Sequence, residues 1–202
     1  MNAYQNFLDF FSMHNKERLD GLSEYYFDLM TANERSMAFD YLLEKVEAGG
    51  TEESVHGLFM ADASRATPLV KELLKKKSLR DEAQIAAAWN LYGHALDPSL
   101  LAVFIDSMSS DNRHIRAKAA YYVPAEFEPE LISHLQGMIR TETDRMALIH
   151  ATNKLLECYG ITRASVEKEE FSRFYRGLRS EDQDVKEMTF RQLDIEYGNT
   201  AV

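Results

Sequence analysis

The chain has 202 residues, 45 % of them apolar and 28 % charged, and its 23 basic and 33 acidic side chains sum to a net charge of −10. This composition can bury a core, which excludes a compositionally disordered chain, and the acidic balance excludes the strongly basic footprint of a dedicated nucleic-acid binder and argues against an anionic membrane surface. A single cysteine, Cys158, excludes an internal disulfide and a thiolate zinc site.

Glycine and proline are scarce, at 9 and 4. Apolar residues recur at spacings of three and four, as in Leu69, Val70, Leu73 and Leu74 or Leu148, Ile149, Leu155 and Leu156. Strand-type alternation is almost absent, so an all-α fold is expected. The longest apolar run, Leu100 to Ile105, is six residues, far short of a membrane span. The opening MNAYQNFLDFF has no basic start and carries Asp9 among its apolar residues, unlike a secretory signal, so a cytoplasmic location is expected.

In chain order, the first expected helix covers 2–12 and, with Tyr4, Phe7, Leu8, Phe10 and Phe11, is expected to seal the first unit, with a peripheral binding helix as the alternative. Residues 15–30 and 33–48 form a helix pair that Gly49-Gly50 ends. From residue 51 the chain repeats itself. Pro68, Pro98 and Pro129 are separated by 30 and 31 residues. Each is followed two and six positions later by an apolar pair: Val70 and Leu74, Leu100 and Phe104, Leu131 and Leu135. Proline fits the first helical position, where its missing N–H has no partner to lose. The helix before each proline is anchored on Val55, Ile85 and Ile115, with Met146 next, in steps of 30, 30 and 31. Thr51, Asp81, Asp111 and Glu142 each precede an anchor by four and are expected to start the helices. The unit is helix, turn, helix, and it must stack on neighbours to bury its apolar face. The anchors and the proline-led pairs are expected to face one continuous core. Helices over 163–179 and 182–196, the latter opened by Asp182 or Asp184, close the array.

The stretch Asp111-Asn-Arg-His-Ile115-Arg116-Ala-Lys-Ala119-Ala120 resembles the first helix of a HEAT-type repeat. In that family an Asp opens the helix, Val or Ile followed by Arg sits in its first turns, and small residues follow for close packing. The copy at Asp81, Ile85, Ala86, Ala87 and Ala88 lacks the arginine. The copy at Thr51, Val55 and His56 lacks both Asp and Arg, and the copy at Glu142, Met146 and Ala147 departs furthest. The resemblance covers residues 51–158. It implies an α–α superhelix, a HEAT-like solenoid of about five to six helix pairs, as a single domain over 1–202 with atypical capping helices in 1–50 and 159–202. It also implies binding to other macromolecules, which most such proteins do; a few are enzymes.

Catalytic motifs are missing. The histidines, His14, His56, His94, His114, His134 and His150, form no His-Glu-x-x-His or other compact ligand spacing. There is no Gly-x-Ser-x-Gly elbow, no Gly-x-Gly-x-x-Gly and no phosphate loop. No catalytic residue, cofactor or metal is therefore expected. Cys158, two residues before Gly160, reads as a buried structural thiol. Trp89 stands four residues after Ile85 and is expected in the core. Some HEAT-like DNA glycosylases use tryptophan and Asp in a cationic concave groove. Here the proline-led helices carry Lys71, Lys75, Lys76 and Lys77 in one copy but Asp106 and Glu130 in the next two, so phosphates would not be neutralised and no nucleic-acid partner is expected.

The acidic excess points elsewhere. Residues 1–50 hold nine acids against four bases, and further acid runs are Glu126, Glu128 and Glu130, Glu167, Glu169 and Glu170, and Glu181, Asp182 and Asp184. Aromatics lie among them: Tyr25, Tyr26 and Phe27 between Glu24 and Asp28, and Phe127 between Glu126 and Glu128. Aromatic anchors in a charged rim suit a protein interface, and the acids would steer a basic partner. The candidate partner-binding residues are Glu126, Phe127, Glu128, Glu130, Ser133, His134, Tyr25 and Tyr26. The expected function is a non-catalytic, protein-binding solenoid, most specifically an immunity or antitoxin-type protein masking a basic toxin. The alternatives are a HEAT-like enzyme of glycosylase or bilin-lyase type, and an assembly chaperone or scaffold subunit.

Overall fold

A computed structural model describes residues 2–13 and 21–198. Among these residues all regular structure is helical, so the protein is all-α, with helices packed in adjacent pairs. Its contacts divide it into two units, 1–100 and 101–202.

In unit 1, α1 (Ala3–Ser12) starts where the Asn2 side chain accepts a hydrogen bond from the Gln5 amide. The expected helix over 15–30 survives, among the described residues, only as the single turn α2 (Tyr25–Asp28). Gly21 is the physical reason for its late start: at φ +76° it stands outside any right-handed helix. Residues 14–20 of that helix, and His14, lie outside the described residues. Helix α3 (Ala32–Glu47) opens with a reciprocal cap between Thr31 and Glu34 and ends at Gly49 and Gly50, whose φ values of +106° and +68° only glycine adopts readily.

The next helix, α4 (Glu52–Lys75), starts at the expected Thr51 but is two segments broken at Asp62, which is extended at φ −162°. The Asp62 carboxylate accepts from the amides of Ser64 and Arg65 and so caps the second segment. Pro68 therefore lies inside that segment rather than at its first position, contrary to the proline register. Pro98 does begin its helical stretch, a 3-10 turn over Pro98–Leu100, behind a cap from Asp97 to the Ser99 amide. Between them α5 (Asp81–Ala95) starts after Arg80. The core of this unit is aromatic at one end. Phe7 is fully buried and its ring meets those of Phe11, Phe27 and Tyr41, so α1 closes this end of unit 1 against α2 and α3.

Unit 2 contains α6 (Leu101–Met108), α7 (Arg113–Tyr122), α8 (Pro129–Thr141), α9 (Arg145–Cys158), α10 (Lys168–Leu178) and α11 (Gln183–Tyr197). Helix α7 packs on α6 and α9, α8 on α6 and α9, α10 on α9 and α11, and α11 also on α8. Pro129 is at the start of α8, as expected. Asp111 and Glu142 do not cap their helices. Asn112 and Asp144 do, accepting from the His114 amide and from the Met146 and Ala147 amides. Shifting the cap rotates the helix: Ala147 is buried and Met146, an expected core anchor, is 52 % exposed. Val55, Ile85, Ile115 and the proline-led Val70, Phe104, Leu131 and Leu135 are buried, whereas Leu74 and Leu100 are only half-buried. Helix α10 starts five residues later than expected, behind a turn at 163–166, and Asp182 caps α11.

Counting from the capping residues of α3, α5, α7, α9 and α11 exposes a tighter register than the prolines do. The seventh, eighth and eleventh residues after the cap are Ala38, Phe39 and Leu42 in α3, Ala87, Ala88 and Leu91 in α5, and Ala119, Ala120 and Val123 at α7. They are Ala151, Thr152 and Leu155 in α9 and Thr189, Phe190 and Leu193 in α11. All fifteen are at most 5 % exposed. Spacings of one, three and four put the three side chains on one helix face, and alanine there allows close helix approach.

Candidate functional site

Helix α8 buries Leu131, Ile132, Leu135, Met138 and Ile139. The opposite stripe, at spacings of three and four, is Glu130, Ser133, His134, Gly137 and Thr141. Three of these are candidate residues from the sequence, and the structure puts them on one face. The lower part of that face opens into a cleft of about 610 Å³. Its walls are Ser133, His134, Gly137, Met138 and Thr141 of α8, Met108 at the end of α6 with Ser109 to Asp111 after it, Arg116 of α7, and Glu142 and Thr143. Five of the twelve lining residues carry hydroxyls: Ser109, Ser110, Ser133, Thr141 and Thr143.

Arg116 is the cation of the cleft, and its charge is already used. Its Nε and Nη2 donate to the two carboxylate oxygens of Glu142 at 2.6 and 2.9 Å, and its Nη1 donates to the carbonyls of Ser110 and Asp111 at 2.8 and 3.1 Å. Glu142 also accepts from the amides of Thr143 and Asp144. The Arg116 hydrogen bonds hold the Glu142 carboxyl below its ordinary range, against a burial that pushes it up. With that pair neutral, the exposed Asp111 gives the cleft its negative sign. His134 Nδ1 lies 2.9 Å from the Glu130 carbonyl. A carbonyl only accepts, so in the neutral ring Nδ1 carries the proton and Nε2 presents a lone pair.

Above the cleft, the α7–α8 loop carries the remaining acids. Glu126 is exposed and Glu128, the residue before Pro129, is half-buried. Phe127 is part-exposed, with its ring edge-on to Tyr159 at 5.2 Å. Glu126, Phe127, Glu128, Glu130, Ser133 and His134 thus form one run from loop to cleft. Tyr25 and Tyr26 belong to unit 1, where Tyr25 is exposed and Tyr26 packs against Phe10.

Two aromatic residues escaped the sequence reading. Trp89, expected in the core, is 45 % exposed, its ring edge-on to His56 at 5.4 Å. The packed face of α5 centres on Ala83, Ala87 and Leu91, and Trp89 lies roughly 160° round the helix from Ala87. Tyr121, at the same ninth position after its cap, is 57 % exposed and edge-on to His150. Knowing the caps would have placed both outside. Cys158 is buried, as expected, and burial pushes its thiol up to about 12, which leaves it inert. Among the described residues no three His, Cys, Asp or Glu side chains converge to hold a metal, and no helix is long and apolar enough to cross a membrane.

No protein-family model matches the chain, and no curated protein and no solved structure does.

Proposed function

We propose that the protein is a non-catalytic, HEAT-like binding module that takes a basic segment of a protein partner along the α8 face. The observation that carries this reading is the cleft itself: open, with five hydroxyl-bearing residues in its lining and its arginine neutralised by Glu142, on the same helix that the acids and Phe127 of the preceding loop lead into. Hydroxyls and Asp111 can accept from lysine and arginine side chains, Phe127 is an apolar anchor, and Glu126, Glu128 and Glu130 steer a cation toward the face. The shared cap-to-core register supports the repeat reading. A toxin with a basic surface is the most specific partner of this kind, and the chain's charge of −10 supports it.

Capture from host extract by the wild-type chain supplies the partner, and stopped-flow association then tests the site. Reversing Glu126, Glu128 and Glu130 to lysine should slow association about tenfold at low salt, with the difference closing as salt is raised. An unchanged on-rate in the triple variant overturns the assignment of this face. Binding to duplex DNA should be negligible at physiological salt, since the net charge of −10 opposes phosphates and the local clusters of lysine and arginine are too small to release many counterions. Tight, salt-sensitive duplex binding in an anisotropy titration would put a glycosylase-like reading first.

A further inference from the structure

Two sets of cations in unit 2 contrast. Arg116, Arg140 and Arg173 each grip a carboxylate, those of Glu142, Glu187 and Glu196. Arg163, Lys168 and Arg176 form no ion pair among the described residues, although the chain carries 33 acids. Sequence explains why. One helical turn away from Lys168 stand Ala164, Ser165, Phe171 and Ser172; one turn away from Arg176 stand Ser172, Arg173, Arg179 and Ser180. Neither Lys168 nor Arg176 has an acid at i,i+3 or i,i+4; Glu167 stands four residues after Arg163, but 163–166 is a turn rather than a helix and no ion pair forms among the described residues, and Arg173, Arg176 and Arg179 repel one another along one helix edge. The nearby Glu170 is taken by Arg173 and by the Tyr197 hydroxyl.

These three free cations converge on one pocket of about 440 Å³, lined by Arg163, Lys168, Phe171, Ser172, Tyr175 and Arg176. Its apolar wall is a pair of stacked rings, Phe171 and Tyr175, with centroids 5.7 Å apart and planes 17° apart. Arg163 reaches over the Phe171 ring from the turn before α10, its guanidinium carbon 5.4 Å from the centroid. At the other end of the ring pair Arg179 donates to the Tyr175 hydroxyl. Its Nε is buried and has no hydrogen-bond partner among the described residues, an orphaned donor beside the same rings.

We infer that this pocket binds a nucleoside polyphosphate, with the phosphates on Arg163, Lys168 and Arg176 and the planar base against the Phe171–Tyr175 pair and the Arg163 guanidinium. The volume falls in the range of small-molecule sites, roughly 300–1,000 Å³. Three unpaired cations within it call for a compact multiple anion, which a polyphosphate supplies and a single carboxylate does not. Guanidinium forks match phosphate oxygens in two-point geometry, and guanidinium planes stack on flat rings. The Ser172 hydroxyl adds a neutral donor. The pocket shares no residue with the α8 cleft, so the inference stands or falls apart from the proposed protein partner.

Calorimetric titration of the full chain with adenosine triphosphate in magnesium-free, low-salt buffer tests it. We expect saturable binding in the micromolar-to-millimolar range, weaker binding of inorganic pyrophosphate, and none of adenosine. Lys168 and Arg176 are exposed, so the double variant Lys168→Gln/Arg176→Gln keeps its fold, which circular dichroism checks. It should lose about tenfold or more in affinity, as removal of two charge-assisted contacts requires. No heat from adenosine triphosphate, equal affinity in the double variant, or stronger binding of a glutamate-rich peptide than of the nucleotide would each overturn the inference.

Discussion

In unit 1 the rings of Phe7, Phe10, Phe11, Phe27, Tyr26 and Tyr41 meet one another around α1, and the ion pair from Arg65 to Asp40 lies at the surface with both side chains well exposed. Unit 2 places fewer rings in its core and joins its helices with charge. Arg116 binds Glu142, Arg140 binds Glu187, Lys186 donates to the Ile139 carbonyl at 3.0 Å, and Tyr159 donates to Asp194. Ring packing stabilises by burying apolar surface and does not depend on charge screening. Ion pairs fix a register between helices but respond to pH and screening. The two units share an α-helical construction and a cap-to-core register, yet they should fail under different stresses.

The largest expected effects test how far apolar burial still dominates in both. Phe39 in unit 1 and Phe104 in unit 2 are fully buried. Replacing either by Ala should cost about 3–5 kcal/mol, read from denaturant unfolding. A cost near zero for Phe104→Ala alone would mean that the charged ties, rather than the core, hold unit 2.

Next in size is the Arg116–Glu142 pair. Arg116→Met leaves a carboxylate that is 3 % exposed without its cation. The arginine itself is partly solvated, so a loss of about 2 kcal/mol is expected at neutral pH, below the figure for a fully buried pair. The pH dependence has a definite sign. The Glu142 carboxyl is held below its unfolded value of 4.5, chiefly by Arg116. The stability it contributes is therefore present above that value and is lost as pH falls through the depressed folded value. In Arg116→Met the burial that raises the carboxyl is opposed only by the Thr143 and Asp144 amides, so the depression shrinks and the gap between wild type and variant should narrow as pH falls below 4.5. A gap that stays constant in acid would assign the loss to packing by the arginine stem.

The helical class, the sealing role of α1, the stop at Gly49-Gly50 and the face shared by Glu130, Ser133 and His134 could be read from residue spacing, because helical periodicity and positive-φ glycines act locally. Other features could not. Pro68 misled the register because Asp62 caps the segment six residues earlier, and the choice between the two lies in backbone dihedrals. The Glu142 carboxylate looked like a cap and serves as the Arg116 counter-ion instead, a contact across 26 residues that no local pattern encodes. The cleft depends on the same long-range tie. The free cations of α10 were present in the sequence as an absence of acids one turn away, a signal visible only once the helix start at Lys168 is known.

The smallest expected effect separates the two registers most cleanly. Counting from prolines makes Met146 an anchor of the core; counting from the Asp144 cap makes it the second residue of α9, facing solvent, with Ala147 pointing inward. Met146→Ser removes an exposed thioether and should change stability by no more than about 0.5 kcal/mol. Ala147→Leu adds three carbons where the side chain is fully buried, and should cost about 1–3 kcal/mol through overpacking. Chemical denaturation of the two variants side by side decides the matter. If Met146→Ser proves the costlier, α9 is rotated by one residue from the arrangement described, and the cap register fails in unit 2. If Ala147→Leu proves the costlier, the Asx caps set the phase of this helix, and the methionine is left on the surface beside His150 and Tyr121, available to a partner.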